Sequence, residues 1–80
     1  MINSSHWEIE GKPDGGVSYG EGFCISWQRG PLTEGRNGAF LLDILEVCKH
    51  QLEYYQNGQF ACEENAKALE CIEEAIDIFE

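Results

Sequence analysis

Two cationic side chains, Arg29 and Arg36, flank a short flexible segment that precedes the first predicted helix. Guanidinium groups, exposed backbone N–H groups and the positive end of a helix dipole all stabilise anions. This arrangement predicts an anion pocket in a chain whose formal net charge is -10. The alternative is a surface loop whose arginines pair with some of the 15 Asp and Glu side chains.

A tyrosine and an asparagine, Tyr55 and Asn65, are predicted to meet where two helices join. Asn65 interrupts an otherwise apolar helical seam, and a polar side chain in such a place needs hydrogen bonds. An aromatic face and an amide together suit a nucleobase or a ribose. The alternative is an asparagine that sets the register of the two helices and packs against a capping tyrosine.

The sequence contains no pattern typical of catalysis. The two histidines, His6 and His50, have no nucleophile or acid partner at a recognisable spacing, and no serine elbow or phosphate-binding loop occurs. Four acidic residues of the second predicted helix have a helical spacing that suits a divalent cation, but a solvated helix face explains them more simply. We therefore expect no catalytic residues, no metal site and no cofactor.

The four cysteines are not spaced like metal ligands, since no CxxC or CxxH pair occurs. The first residues lack the basic and apolar regions of a secretory signal, so a reducing compartment is expected. We expect four free, mostly buried thiols that pack as small hydrophobes. With neither a disulfide nor a metal, oligomerisation remains the route to a sufficient core in an 80-residue chain.

The elements that would position these side chains divide the chain at about residue 37. Residues 1–37 contain seven of the nine glycines and both prolines. Apolar and polar residues alternate over 6–10 and, more clearly, over 23–28, which is typical of half-buried strands. The sequence predicts a short antiparallel β ribbon here, with turn residues over 11–16 and a short third strand over 17–19.

Residues 38–80 are predicted to form an antiparallel two-helix hairpin. The first helix is expected over 39–56 with Asn37 as its N-cap, and the second from 61 to the end, with Asn57-Gly58 in the turn. Each helix carries two apolar lines, more than one hairpin can bury. We therefore expect an α+β fold, a single domain spanning 1–80 that oligomerises. The alternative is a monomer in which the ribbon covers the second lines.

Several short motifs follow one another at a definite spacing over about residues 23–80. They are Trp27-Gln28-Arg29-Gly30-Pro31-Leu32, Asn37-Gly38, Tyr54-Tyr55-Gln56, Phe60-Ala61-Cys62-Glu63-Glu64-Asn65, and Leu69-Glu70 with Glu74-Ala75. Their order resembles the hairpin domain shared by phage anti-Thoeris (Tad) and anti-CBASS (Acb) proteins.

This resemblance implies a nucleotide sponge and not an enzyme. Members of the family assemble as homo-oligomers, and a dimer or hexamer is expected here. They bind cyclic nucleotide messengers or gcADPR, a cyclic form of ADP-ribose, in the cytoplasm of the bacterial host without cleaving them. The different class of function that stays open is an acidic oligomeric interaction module that inhibits a host protein. No polynucleotide or membrane partner is expected, since the chain has no basic stripe and no apolar run of 18 residues.

The resemblance also implies ligand-binding residues. Tyr55 and Asn65 match positions that contact ligand in the gcADPR-binding members, and the family motifs add Gln28 and Asn37. Arg29 and Arg36 are included on the basis of charge. Family members continue beyond the second helix into an arginine-rich segment that helps to hold phosphates. In residues 1–80 that task is expected to fall to the cations before the helices, to backbone amides and to neighbouring subunits.

Overall fold

The structure is a computed structural model that describes residues 2–80, and it contains three strands followed by two helices. The strands are β1 (Asn3–Ile9), β2 (Lys12–Gly20) and β3 (Phe23–Trp27); after a 3-10 turn at Leu32–Glu34, the helices are α1 (Leu41–Gln56) and α2 (Glu63–Phe79). The predicted α+β class is therefore confirmed. The chain forms two compact units, Met1–Phe40 and Leu41–Glu80. That these form a single domain stays a prediction.

The first unit is built on a three-stranded antiparallel sheet in the order β1-β2-β3. Glu10 and Gly11 both have positive φ, the backbone geometry of a tight two-residue hairpin turn. The predicted short third strand is instead the long central strand β2, so the predicted turn over 11–16 is wrong for most of its length. The strand can run through these residues because Gly15 and Gly16 adopt positive φ and because β1 has a bulge between His6 and Glu8.

A chain of polar side chains joins the three strands. The indole Nε1 of Trp27 donates a hydrogen bond to the hydroxyl of Ser18 at 2.9 Å. The hydroxyls of Ser18 and Ser4 lie 2.9 Å apart. Ser18 is buried, so its hydroxyl needs these partners. The central residue of the sheet is thus held by hydrogen bonds to both neighbouring strands.

The link from the sheet to the helices differs from the sequence expectation. Ala39 forms a parallel bridge with Trp27: its N–H donates to the carbonyl of Ser26 at 2.7 Å, and its carbonyl accepts from the N–H of Gln28 at 3.0 Å. Because this pairing keeps Ala39 extended, α1 begins at Leu41. The prediction that Asn37 is the N-cap is therefore wrong.

The second unit is a helical hairpin with a thin core. Ile76, with 6% of its surface exposed, is the only buried apolar side chain among residues 2–80. Leu45 and Leu52 of α1, with Leu69 of α2, are partly buried. Exposed apolar side chains remain on both helices, most clearly at Val47, Tyr54 and Ile78. No residue of α1 is buried and Ile76 is the buried residue of α2, so the hairpin covers its apolar lines only in part, and oligomerisation stays a prediction.

The four cysteines, Cys24, Cys48, Cys62 and Cys71, are free and exposed. The prediction that they are mostly buried is wrong. Cys48 and Cys71 lie at exposed positions of α1 and α2, so their thiols do not pack in the core. Cys62 has a structural task, since it is the N-cap of α2 and its sulfur accepts a hydrogen bond from the N–H of Asn65 at 3.4 Å.

Neither helix in the described part of the chain has the length and hydropathy that a membrane span requires.

Candidate functional site

The turn between the helices is closed by one side chain at the end of α1. The side-chain carbonyl of Gln56 accepts a hydrogen bond from the N–H of Cys62 at 3.0 Å. Its amide nitrogen donates to the carbonyl of the same residue at 3.2 Å. Both polar atoms of Gln56 therefore hold the first residue before α2. These two hydrogen bonds bring the start of α2 beside the end of α1.

Removing this side chain should loosen the hairpin. We expect Gln56→Ala to lower the free energy of unfolding by about 1–2 kcal/mol, because two hydrogen bonds are lost at once. Gln51→Ala is the matched control, since Gln51 is an exposed glutamine of the same helix. Urea denaturation followed by circular dichroism measures both. Equal denaturation midpoints for the two variants would show that the Gln56 bonds do not hold the turn.

Tyr55, Phe60 and Asn65 line a cavity of about 340 Å³, referred to below as the aromatic–amide cavity. The rings of Tyr55 and Phe60 meet edge to face, with centroids 6.0 Å apart and planes at 80°. The side-chain nitrogen of Asn65 donates to the carbonyl of Phe60 at 3.0 Å. The structure therefore brings Tyr55 and Asn65 together, as the hairpin geometry predicts. Their role in ligand binding stays a prediction.

Phe60 is a residue that sequence reasoning did not assign to the site. Its side chain is 65% exposed, yet it lines the aromatic–amide cavity. It also lines a second cavity of about 360 Å³, together with Tyr54, Tyr55, Asn57, Gly58 and Gln59. The available signal was an aromatic residue in an otherwise polar turn, five positions before Asn65.

The side chains of Gln28 and Asn37 organise the loop that follows β3. The side-chain carbonyl of Gln28 accepts from the N–H groups of Asn37 at 3.0 Å and Gly38 at 3.1 Å. Its amide nitrogen donates to the carbonyl of Gly35 at 3.1 Å. Asn37 in turn accepts from the N–H of Arg29 at 2.8 Å and donates to the Arg29 carbonyl at 2.7 Å. Both side chains therefore use their polar atoms within the loop.

The two arginines of the predicted anion pocket make different contacts. The Nε of Arg29 lies 3.1 Å from a carboxylate oxygen of Asp14, and its guanidinium carbon lies 5.3 Å from the centre of the Trp7 ring. The Nε of Arg36 donates to the carbonyl of Gly38 at 2.8 Å, and its guanidinium lies 4.8 Å from the centre of the Phe40 ring. Arg29 therefore pairs with a carboxylate, which is the alternative to an anion pocket that the sequence leaves open.

A cavity of about 530 Å³ lies beside Arg29 in the first unit. Arg29, Lys12 and Asn37 line it, but so do three carboxylates, of Glu10, Asp14 and Glu34. Arg36 is not among its lining residues. The structure does not gather the two arginines into one cationic pocket, and their contact with a ligand stays a prediction.

The acidic side chains of α2 face solvent. They are Glu63, Glu64, Glu70, Glu73, Glu74 and Asp77, with Glu80 at the helix end. Lys67 is the basic residue of this helix, and its Nζ lies 3.6 Å from a carboxylate oxygen of Glu70. Within residues 2–80, no three His, Cys, Asp or Glu side chains are grouped closely enough to hold a metal ion.

More than half of the chain matches a known protein family. Residues 23–76 match the model of the Acb2/Tad1 hairpin domain. The chain belongs to the Acb2/Tad1 hairpin-domain family. The segment that matches the Acb2/Tad1 model contains the complete aromatic–amide cavity and the loop organised by Gln28 and Asn37, whereas β1 and β2 lie outside it.

One curated relative of this chain is the protein named Thoeris anti-defense 1 of Bacillus phage SBSphiJ7. It is 42% identical to this chain over 53 residues. The alignment covers 65% of this chain and 37% of the relative. The chain thus spans little more than a third of that relative's length.

Proposed function

We propose that this chain is a phage anti-defence protein that binds a cyclic nucleotide immune messenger and sequesters it without cleavage. The messenger is gcADPR or a cyclic di- or trinucleotide. The observation that carries the proposal is the aromatic–amide cavity, which lies wholly inside the segment matched by the Acb2/Tad1 hairpin domain. The relative named Thoeris anti-defense 1 supports the anti-defence role.

The chemistry of this cavity suits a nucleobase. Tyr55 and Phe60 offer aromatic surface, and stacking of a base on an aromatic side chain contributes about 1–3 kcal/mol. Asn65 adds an amide that can form hydrogen bonds with a base edge or a ribose. A cavity of about 340 Å³ is at the small end of ligand sites. It therefore holds one base or nucleoside, and the rest of a cyclic messenger extends beyond it.

Other copies of the chain would complete such a site. The exposed apolar lines on both helices provide surface for association, and we propose a homo-oligomer, either a dimer or a hexamer. Sequestration follows from mass action, since a sponge must bind tightly and be abundant relative to the messenger. It would act in the cytoplasm of the bacterial host, where the effector would otherwise respond.

The remaining predicted site residues receive different roles in this proposal. The side chain of Arg29 is 60% exposed despite its ion pair with Asp14, and together with Arg36 it would supply charge for phosphate groups. Gln28 and Asn37 have their polar atoms engaged within the loop. We propose that they act by holding the shape of this loop.

Native mass spectrometry with a ligand panel tests the proposed function. The panel consists of gcADPR, cyclic di-AMP, cyclic di-GMP and cyclic tri-AMP. We expect one oligomeric species that takes up at least one of these ligands in a fixed ratio to subunits, and release of that ligand with unchanged mass after denaturation. Absence of binding across the panel would refute messenger sequestration, and release of a hydrolysed product would indicate an enzyme.

A second candidate function is favoured by the many exposed carboxylates of α2. Only Lys67 offsets their charge within this helix, so the helix could dock on a basic surface of a host protein. Under this alternative, inhibition of host defence would depend on the carboxylates and not on the cavity.

A further inference from the structure

The amide of Asn65 has a defined orientation. Its side-chain nitrogen lies 3.0 Å from the carbonyl oxygen of Phe60, and a carbonyl oxygen can only accept a hydrogen bond. The group that faces Phe60 must therefore be the NH₂. Within residues 2–80, the side-chain oxygen of Asn65 accepts no hydrogen bond. The side-chain oxygen of Asn65, a residue that lines the cavity, is therefore available to accept a hydrogen bond.

Phe60 contributes to this arrangement through its backbone carbonyl and through its ring. Its carbonyl fixes the amide of Asn65, and its ring meets the ring of Tyr55 edge to face at 6.0 Å. Because the two ring planes differ by 80°, a flat group that stacks on one ring directs its own edge toward the other. An aromatic corner with an amide acceptor beside it matches a planar heterocycle that carries N–H groups.

Phe60 is the most exposed of the four phenylalanines, at 65%, against 41% for Phe23, 39% for Phe40 and 55% for Phe79. It lies in the turn between the helices and lines both cavities at this end of the hairpin. Its carbonyl would position Asn65 equally well with a polar side chain attached, so the ring itself requires a separate explanation.

We propose that Phe60 is a ligand-contact residue, whose ring stacks on the nucleobase of the messenger while Asn65 accepts a hydrogen bond from that base. This inference rests on the proposed function and adds to it a contact that neither the sequence motifs nor the family match assigns. The Phe60 ring is the stacking surface, and Tyr55 forms the wall against the base edge.

Two variants separate the ring from the backbone. Phe60→Leu keeps the carbonyl that holds Asn65 and keeps an apolar side chain, but it removes the π face. Phe60→Trp keeps and enlarges that face. Phe79→Leu is the matched control, because Phe79 is 55% exposed and lines neither of the cavities at the turn.

The experiment is calorimetric titration of each full-length variant with the same four probes, gcADPR, cyclic di-AMP, cyclic di-GMP and cyclic tri-AMP. For every probe that the unmutated chain binds, we expect Phe60→Leu to weaken binding about tenfold to a hundredfold. Phe60→Trp should bind within about threefold of the unmutated chain, and Phe79→Leu should be unchanged. The thermal midpoints should stay close together, since both residues are exposed.

Three results would overturn the inference. Equal affinity of Phe60→Leu and the unmutated chain would remove the stacking role. Loss of binding in Phe60→Trp as well as Phe60→Leu would indicate that only the size of the side chain matters. A changed subunit count with unchanged affinity per site would place Phe60 between copies of the chain. If the unmutated chain binds none of the probes, the proposed function itself fails, which is a distinct outcome.

Discussion

Tyr55→Ala is expected to weaken messenger binding by about tenfold to a hundredfold, because it removes one aromatic wall of the cavity. Asn65→Ala should have a similar effect, since it removes the side-chain amide that lines the cavity and the hydrogen bond to Phe60. The double variant should lose less than the product of the two single effects, because both residues act on one cavity and are coupled. Calorimetric titration with the ligand panel measures all three.

Matched controls come from the sheet. Tyr19→Ala and Asn3→Ala remove the same residue types from exposed positions of β2 and β1, and both should leave affinity unchanged. A further variant tests the acidic interaction module. It reverses three charges of α2 at once, through Glu73→Lys, Glu74→Lys and Asp77→Lys. If this reversal abolishes protection of the phage while Tyr55→Ala has no effect, messenger sequestration is wrong and docking on a host protein is favoured.

Gly38→Ala is expected to destabilise the first unit strongly. A Cβ at this position would lie 2.5 Å from the carbonyl carbon of Trp27 and 2.6 Å from the backbone nitrogen of Gln28. These are backbone atoms, so no change of rotamer can relieve the contact. Relief requires separating Ala39 from β3, with loss of the hydrogen bonds at 2.7 and 3.0 Å that form the bridge. We expect a loss of about 3 kcal/mol in the free energy of unfolding.

This loss is large for a chain of this size, whose whole stability is of the order of 4–12 kcal/mol. Gly58→Ala is the control: its Cβ would meet its nearest atoms only at 3.8 and 3.9 Å, and its φ is not in the positive region. Thermal denaturation compares the two, and hydrogen exchange at Gln28 and Ala39 reports on the bridge directly. A Gly38→Ala protein with native exchange protection at these amides would contradict the steric argument.

The parts of the fold that follow from local pattern could be predicted. Apolar periodicity located both helices to within two residues at all four of their ends, and the short turn between them placed Tyr55 beside Asn65. Neither inference needs information from distant parts of the chain, because helix periodicity and loop length are local properties. The same reasoning predicted that each helix carries more apolar surface than a hairpin buries.

The parts that depend on pairing between distant residues could not be predicted. Lys12–Gly20 is rich in turn-forming residues, and it is a strand because β1 and β3 provide partners on both sides. Arg29 meets Asp14 because of the register between β2 and β3, which no spacing in the sequence reveals. Asn37 has the residue type of a helix cap, but it bonds to Arg29 because the chain first returns to β3 at Ala39.

The thin core has a consequence for how much of this protein a cell must make. A chain in which Ile76 is the only buried apolar side chain among residues 2–80 gains folding free energy from whatever covers its remaining apolar surface. If further copies do so, the folded fraction rises with total concentration, by linkage between folding and association. Dilute chains would then be preferentially unfolded and degraded, while abundant chains persist. A protein that sequesters a ligand in a fixed ratio is effective only when it is abundant. Linkage between folding and association would therefore remove the protein at concentrations that are too low for it to act.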